Sequence, residues 1–451
     1  MKKFQTVALI TTSLAGSVSP VIAGGYEAKL WNSDSIGEAL AGSSVKEGDI
    51  TTITRNPASA LGFMTSPYQA AVVGNVVLPS IKFKNKGSTV ANGAALTGNN
   101  GGNAGKEALV PAAYLGWNFN QQVKVGLAIT TPWGLKTEYE SGWAGRYHAL
   151  RSELKTINIM PAVAYNLNDQ LAIGGGVQIQ YMDVKLSRAI DFGSGIPLPG
   201  ASQNFDGGVK LKGDRWGYGW NAGLAYRLLK NVRLGLNYNS QIHHKLAGKA
   251  NFTKPNLAAL PAPIAAQIAA GLNANPRFRD QAIKAGLKTP ERVILGAAWD
   301  FHPQMTLLGE VNYTRWKRMK EINVQFPTTA SPSDITPMKW RNTFSYHVGV
   351  NWRACEEWTF RTGYAFDPSA VRDAYRIPAV PDQDRHWAAL GATWSPTAVK
   401  GLTFSINYAH EFIRKAKSNL RPTGEQAIRG NLIGSYKANV NLLSAQIKWH
   451  F

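Results

Sequence analysis

The C-terminal stretch Ala438–Phe451 constrains the fold of this chain more than any other segment. Leu443, Ala445, Ile447, Trp449 and Phe451 share one parity, while Ser444, Gln446, Lys448 and His450 share the other. A period of two with an apolar and a polar face is a β-strand standing between two different surroundings. Two placements fit: the wall of a membrane barrel, or a half-buried edge strand of a soluble sandwich.

The opposite end bears on the compartment. Lys2 and Lys3 precede an apolar run from Val7 to about Ile22, and Val21-Ile22-Ala23 offers small or apolar residues before a cut. This is the pattern of a secretory signal peptide, residues 1–23, with the mature chain beginning at Gly24. No other apolar run is long enough for a membrane helix. Secretion combined with a terminal strand that ends on an aromatic residue points to the bacterial outer membrane.

Composition agrees. The 451 residues are 44% hydrophobic, yet mean hydropathy is slightly negative. A helical membrane protein could not be so polar, whereas half of every barrel strand faces a polar lumen. The single Cys355 excludes an internal disulfide framework. A net charge of +21 could suggest nucleic acid, but the basic residues are dispersed. Lipopolysaccharide, or an anionic ligand, is the more economical partner for that charge.

Alternating segments recur about fourteen times, so the chain reads as an all-β, antiparallel 14-stranded transmembrane β-barrel over residues 65–451. In one segment Leu171, Ile173, Val177, Ile179 and Tyr181 oppose Gly174, Gly176, Gln178 and Gln180. In another Trp358, Phe360, Tyr364 and Phe366 oppose Thr359, Arg361 and Asp367. Tight connections at 168–169, 229–231 and 353–356 would be periplasmic, with Trp352 and Trp358 in an interfacial girdle. Long connections near 85–107, 189–211, 247–287 and 325–337 would be extracellular. Single strands are expected over 303–324 and 338–353. Residues 24–64 alternate poorly and contain Arg55-Asn56-Pro57-Ala58, which interrupts regular structure. By composition they could be a periplasmic tail or a plug inside the barrel.

The order and spacing of several segments resemble the FadL-type outer-membrane transporters of long-chain fatty acids and other hydrophobic compounds. These are Gly25-Tyr26 with Ser35-Ile36-Gly37 and Ala41-Gly42, Arg55-Asn56-Pro57-Ala58, residues 213–223, residues 357–367 and Pro381-Asp-Gln-Asp-Arg385. The resemblance implies a monomeric barrel with an N-terminal hatch over residues 24–64, no cofactor and no metal. Ligand would be captured among the extracellular loops, passed to a lumenal pocket, and released sideways into the bilayer when the hatch moves.

Residue by residue, the resemblance implies that Asp367, Arg188 and Lys339 hold the ligand head group. All three have the parity of lumen-facing positions, as expected of groups that pair with a carboxylate or with one another. Tyr26 would be an aromatic stopper. Arg55, Asn56, Pro57 and Ala58 would form the turn that fixes the hatch. Pro132, Trp133 and Gly134 would line a lateral opening, because Pro132 removes a ladder donor at the end of a strand; a strand simply ending in a loop is the alternative. The apolar loop 256–272 would contribute to an outer collecting groove or pack against neighbouring loops.

Other classes have less support. The eight histidines fall in no catalytic motif, and His243-His244 points to opposite strand faces, so no enzyme is expected. A non-transporting adhesin or structural barrel would need no hatch. A transporter of aromatic hydrocarbons is the rival within the same family.

Overall fold

The computed structural model describes residues 24–329 and 332–451; the expected signal peptide lies outside them. Among the described residues, fourteen antiparallel spans close into one barrel. They are β1 (Tyr68–Asn85), β2 (Ala108–Asn118), β3 (Val123–Thr130 and Gly134–Glu138), β4 (Arg151–Asn166), β5 (Leu171–Asp191), β6 (Asp206–Leu229) and β7 (Val232–Asn239 and Ile242–Thr253). The second half comprises β8 (Gln281–Thr289 and Arg292–His302), β9 (Met305–Thr314 and Glu321–Gln325), β10 (Asp334–Pro337 and Thr343–Arg353), β11 (Trp358–Asp367), β12 (Arg385–Trp394), β13 (Leu402–Ile413 and Ala416–Leu420) and β14 (Leu432–His450). The terminal spans pair from Gln69↔His450 to Asn85↔Gly434, so the C-terminal strand closes the wall. Closure removes the free edges of the first and last spans.

Burial decides between the two placements of the last strand. Leu443 and Ile447 are 46% and 51% exposed on the outside, whereas Ser444 and Gln446 are 1% and 2% exposed inside. Apolar-out and polar-in is the pattern of a wall in lipid. Trp352 and Trp358 stand on the outer surface at the short-turn end, where Trp394 and Phe404 extend the same girdle.

Several spans bend where alternation predicted continuity. The strand expected over 303–324 is broken by a 3-10 turn at Trp316–Arg318. Lys339 does not continue the ladder of β10, which resumes at Thr343; its backbone has φ 44°. Two of the long loops are shorter than expected, because the β5–β6 and β7–β8 hairpins run on to Asp191/Asp206 and Thr253/Gln281.

Residues 24–64 fill the barrel and are almost all buried. They carry two short helices, Ser33–Gly37 and Pro57–Gly62. Wall glycines make the room. A Cβ on Gly223 would lie 2.0 Å from Asn56 Oδ1, and one on Gly363 would lie 2.1 Å from the carbonyl carbon of Glu38. Only glycine permits so close an approach.

Candidate functional site

Two connected cavities lie inside the long-loop end. The outer one, of about 630 Å³, has a cationic side formed by Arg188, Lys339, Arg421 and Arg429. The inner one, of about 80 Å³, is almost wholly apolar and reaches Tyr26. Leu186, Leu211, Ile322, Val324, Ile377 and Ala379 line both, so they form one passage that is polar outside and apolar within.

Arg188 projects inward from the end of β5, as its parity predicted. Its guanidinium lies 3.4 Å from Asp334, which also accepts from Arg429 at 2.6 Å. An internal carboxylate thus occupies the place where an external one could bind between two guanidinium groups. Lys339 lines the same cavity with its ammonium 5.0 Å from the centre of the Tyr375 ring. His148, in the loop before β4, also lines the cavity. Burial, with Arg429 and Arg188 beside it, holds its imidazole down to about 3, so it is neutral at physiological pH.

Tyr26 closes the inner end. Its ring is 5.4 Å from Trp133, 5.2 Å from Trp316 and 5.8 Å from Trp340, and its hydroxyl donates to the Lys288 carbonyl at 2.9 Å. The box is closely packed and the Tyr26 hydroxyl is satisfied, whereas the buried Trp340 indole N–H has no hydrogen-bond partner among the described residues.

Asp367 is not brought to this passage. It faces the lumen, as parity predicted, but lies under residues 24–32 and pairs with Lys29 at 2.7 Å. Arg385 stands 4.0 Å away on its other side. The trio suggested for the head group therefore divides: Arg188 and Lys339 line the cavity, whereas Asp367 ties the N-terminal segment to β11. Parity gives the face a residue occupies, not its height along the barrel.

The Arg55-Asn56-Pro57-Ala58 turn binds its surroundings from both ends. Asn56 caps the helix at Pro57 by accepting from Ala58 N at 3.1 Å, and its amide donates to Ser44 O at 2.8 Å and to the wall at Leu224 O at 3.0 Å. Arg55 donates to Glu310 and Asn312 on β9, each at 2.9 Å, and lies over the Trp31 ring.

Pro132, Trp133 and Gly134 form the break in β3. Below it Ile129 pairs with Ala113 of β2. Above it Gly134–Glu138 forms a ladder only with β4, while Thr137 bridges Gly105 and Glu138 N donates to Ala104 O before β2. Residues 108–112 of β2 thus have no ladder partner on that side. The N-terminal segment supplies partners on either side of Trp133. Ala28 N donates to Pro132 O at 2.9 Å, and Gly134 N donates to Tyr26 O at 2.9 Å. Thr156 of β4 both donates to and accepts from the Trp133 backbone.

Sequence reasoning missed Asp334, Arg429, Trp316 and Trp340. All lie where strands end or bend, and no periodic signal marks them. The loop 256–272 is mostly helix, Ala262–Ala274; Leu257, Leu260 and Ile268 pack on Ile196, Ala201 and Phe205 rather than lining the passage.

Residues 14–451 match the family model described as outer membrane protein transport protein (OMPP1/FadL/TodX). The chain is 27% identical over 414 residues to the long-chain fatty acid transport protein of Escherichia coli K12, covering 86% of this chain and 87% of that one. It is 30% identical to a putative outer membrane protein of Neisseria meningitidis, covering 86% and 85%. The crystal structure of a Pseudomonas aeruginosa FadL homologue superposes with a TM-score of 0.86 at 24% identity, covering 95% of this chain and all of that one. The Pseudomonas putida toluene transporter TodX superposes with a TM-score of 0.68 at 15% identity, covering 95% and 99%. Those two likenesses concern the fold. The chain belongs to the OMPP1/FadL/TodX family of outer-membrane transport proteins, channels for hydrophobic compounds rather than enzymes.

Proposed function

We propose that this protein carries long-chain fatty acids across the outer membrane without energy coupling. The observation that carries the reading is the polarity of the passage: cations at the outer cavity, an apolar neck inside, and Tyr26 at its end. An amphiphile fits that gradient with its carboxylate between Arg188 and Arg429, near Lys339, and its chain toward Tyr26. Residues 24–64 act as the hatch. Movement of its first residues withdraws Tyr26 from the neck and Ala28 from Pro132, uncovering the break at Pro132, Trp133 and Gly134 for lateral release into the bilayer. A single chain suffices, since β1 and β14 close the barrel.

A second reading is an aromatic hydrocarbon, favoured by the ring box of Tyr26, Trp133, Trp316 and Trp340. The deciding experiment is uptake of labelled long-chain fatty acid by cells lacking their own transporter, with heat-modifiability confirming a folded barrel. Uptake that falls in Arg188→Ala, with toluene entry unaffected, supports the carboxylate reading. Toluene uptake alone supports the second.

A further inference from the structure

Outside the barrel, one stretch of wall near the long-loop end carries cations of which most lack acidic partners among the described residues. Arg215 of β6, Lys245 of β7, Lys284 and Lys288 of β8, and Arg318 and Lys320 beside β9 surround an open hollow of about 880 Å³. The lysines of β7 and β8 point away from the lumen. Their neighbours of opposite parity, Leu246, Ile283 and Leu287, are buried and line the inner neck. Register clusters the charge: Lys288 stands opposite His243, and Lys245 is paired with Gly286, midway between Lys284 and Lys288. Glu321 is the one acid in the lining. Among the described residues, only Arg318 of the six basic groups has a carboxylate partner, Glu291 at 2.8 Å.

Height supplies a second, independent observation. Immediately toward the short-turn end the outer wall becomes aromatic, with Trp216, Tyr218 and Trp220 on β6 and Tyr238 on β7. Tyr218 is 69% exposed. Exposed aromatics giving way to unpaired cations mark the passage from hydrocarbon to head groups. Several adjacent cations repel one another unless an anion lies among them. Phosphate monoesters provide that anion with multiple charge-assisted hydrogen bonds.

We propose that this hollow is a binding site for the phosphorylated head group of an outer-leaflet glycolipid. Lys245, Lys284, Lys288 and Lys320 hold its phosphates, and its acyl chains lie along Trp216, Tyr218 and Trp220. A free phosphate would meet the cations but leave the aromatic row unused. The hollow adjoins the inner neck, sharing Leu246, Ala247, Ala285, Gly286 and Met319 with it, but its lysines project outward. Glycolipid retention does not read fatty acid transport, so the two readings fail separately.

The test uses the full mature chain folded in detergent, with native mass spectrometry of bound lipopolysaccharide. The variant K245E/K284E/K288E should lose retention by at least about tenfold, and the wild type should retain dephosphorylated lipopolysaccharide equally weakly. Because three reversals could impair assembly, K245Q/K288Q is measured beside it, each barrel being checked by heat-modifiability; a folded double variant should show a smaller loss in the same direction. Unchanged retention in either folded variant, or equal binding of the dephosphorylated lipid, overturns the site. Displacement of the glycolipid by millimolar inorganic phosphate, with no contribution from acyl chains, would likewise overturn it in favour of a free-anion site.

Discussion

The amide of Ala28 donates to the carbonyl of Pro132 at 2.9 Å, and the Tyr26 carbonyl accepts from Gly134 on the other side of Trp133. The segment that blocks the passage is therefore also the strand that pairs the break in β3. A proline within a closed wall leaves groups that must find partners. Here the Pro132 carbonyl and the Gly134 amide find theirs in residues 26–28, which are not part of the wall.

Blockage and wall break should consequently move together. Tyr26→Ala is expected to raise uptake of small hydrophobic ligands several-fold and to increase amide exchange at Gly134 as well as at Ala28. Tyr26→Phe, which removes one hydrogen bond worth about 1 kcal/mol, should stay close to wild type. Exchange that rises at Ala28 while Gly134 stays protected would separate the two elements.

Asp334 competes with any incoming carboxylate for Arg188 and Arg429. Asp334→Asn should tighten fatty acid binding by about tenfold, and Arg429→Ala should weaken it by about 10- to 100-fold, the range of one or two charge-assisted hydrogen bonds. Binding of a neutral hydrocarbon should change in neither. Fluorescent fatty acid titration beside toluene partitioning measures both.

Asp367 is expected to act on the hatch and not on the ligand. Asp367→Asn removes the partner of Lys29, buried beneath the segment. Proteolysis near residues 24–32 should accelerate while fatty acid affinity stays within about twofold of wild type, well under 1 kcal/mol. A loss of affinity as large as that of Arg429→Ala would return Asp367 to the head-group site.

Arg55 and Glu310 form a buried pair, 3% and 0% exposed. Arg55→Met leaves Glu310 charged without its cation and should cost about 3–5 kcal/mol, whereas Arg55→Met with Glu310→Gln should recover much of that loss. Urea unfolding of the refolded barrel in lipid vesicles reads the difference.

The loop carrying His148 should loosen in acid. Its imidazole has a value of about 3 in the fold, below the ordinary value of about 6.5. Its contribution to stability is full above about 6.5 and is lost as pH falls toward 3. Protection factors for residues 143–150 should drop between pH 7.5 and 4.5, and His148→Gln should flatten that change.

The barrel was legible because alternation is a local property. Leu443, Ile447 and Trp449 against Ser444 and Gln446 state two solvents within a few residues, and a wall in lipid repeats that statement span after span. The same parity put Arg188 and Asp367 on the lumen side. It could not separate them, because two inward residues on different strands differ in height only through stagger and register. Lys339 lines the cavity although the alternation assigned to it ends at a bend.

Chain order and period alone thus determined the membrane wall, its inside and outside, and the breaks signalled by Pro132 and by Asn56-Pro57. Only the tertiary structure decided that Asp367 binds Lys29 while Arg188 faces Asp334 and Arg429, residues far apart in sequence. It also decided that Ala28 completes the pairing at Pro132. Each is a contact between distant segments, set by how the closed barrel folds around its own N-terminus, and no local pattern encodes such a contact.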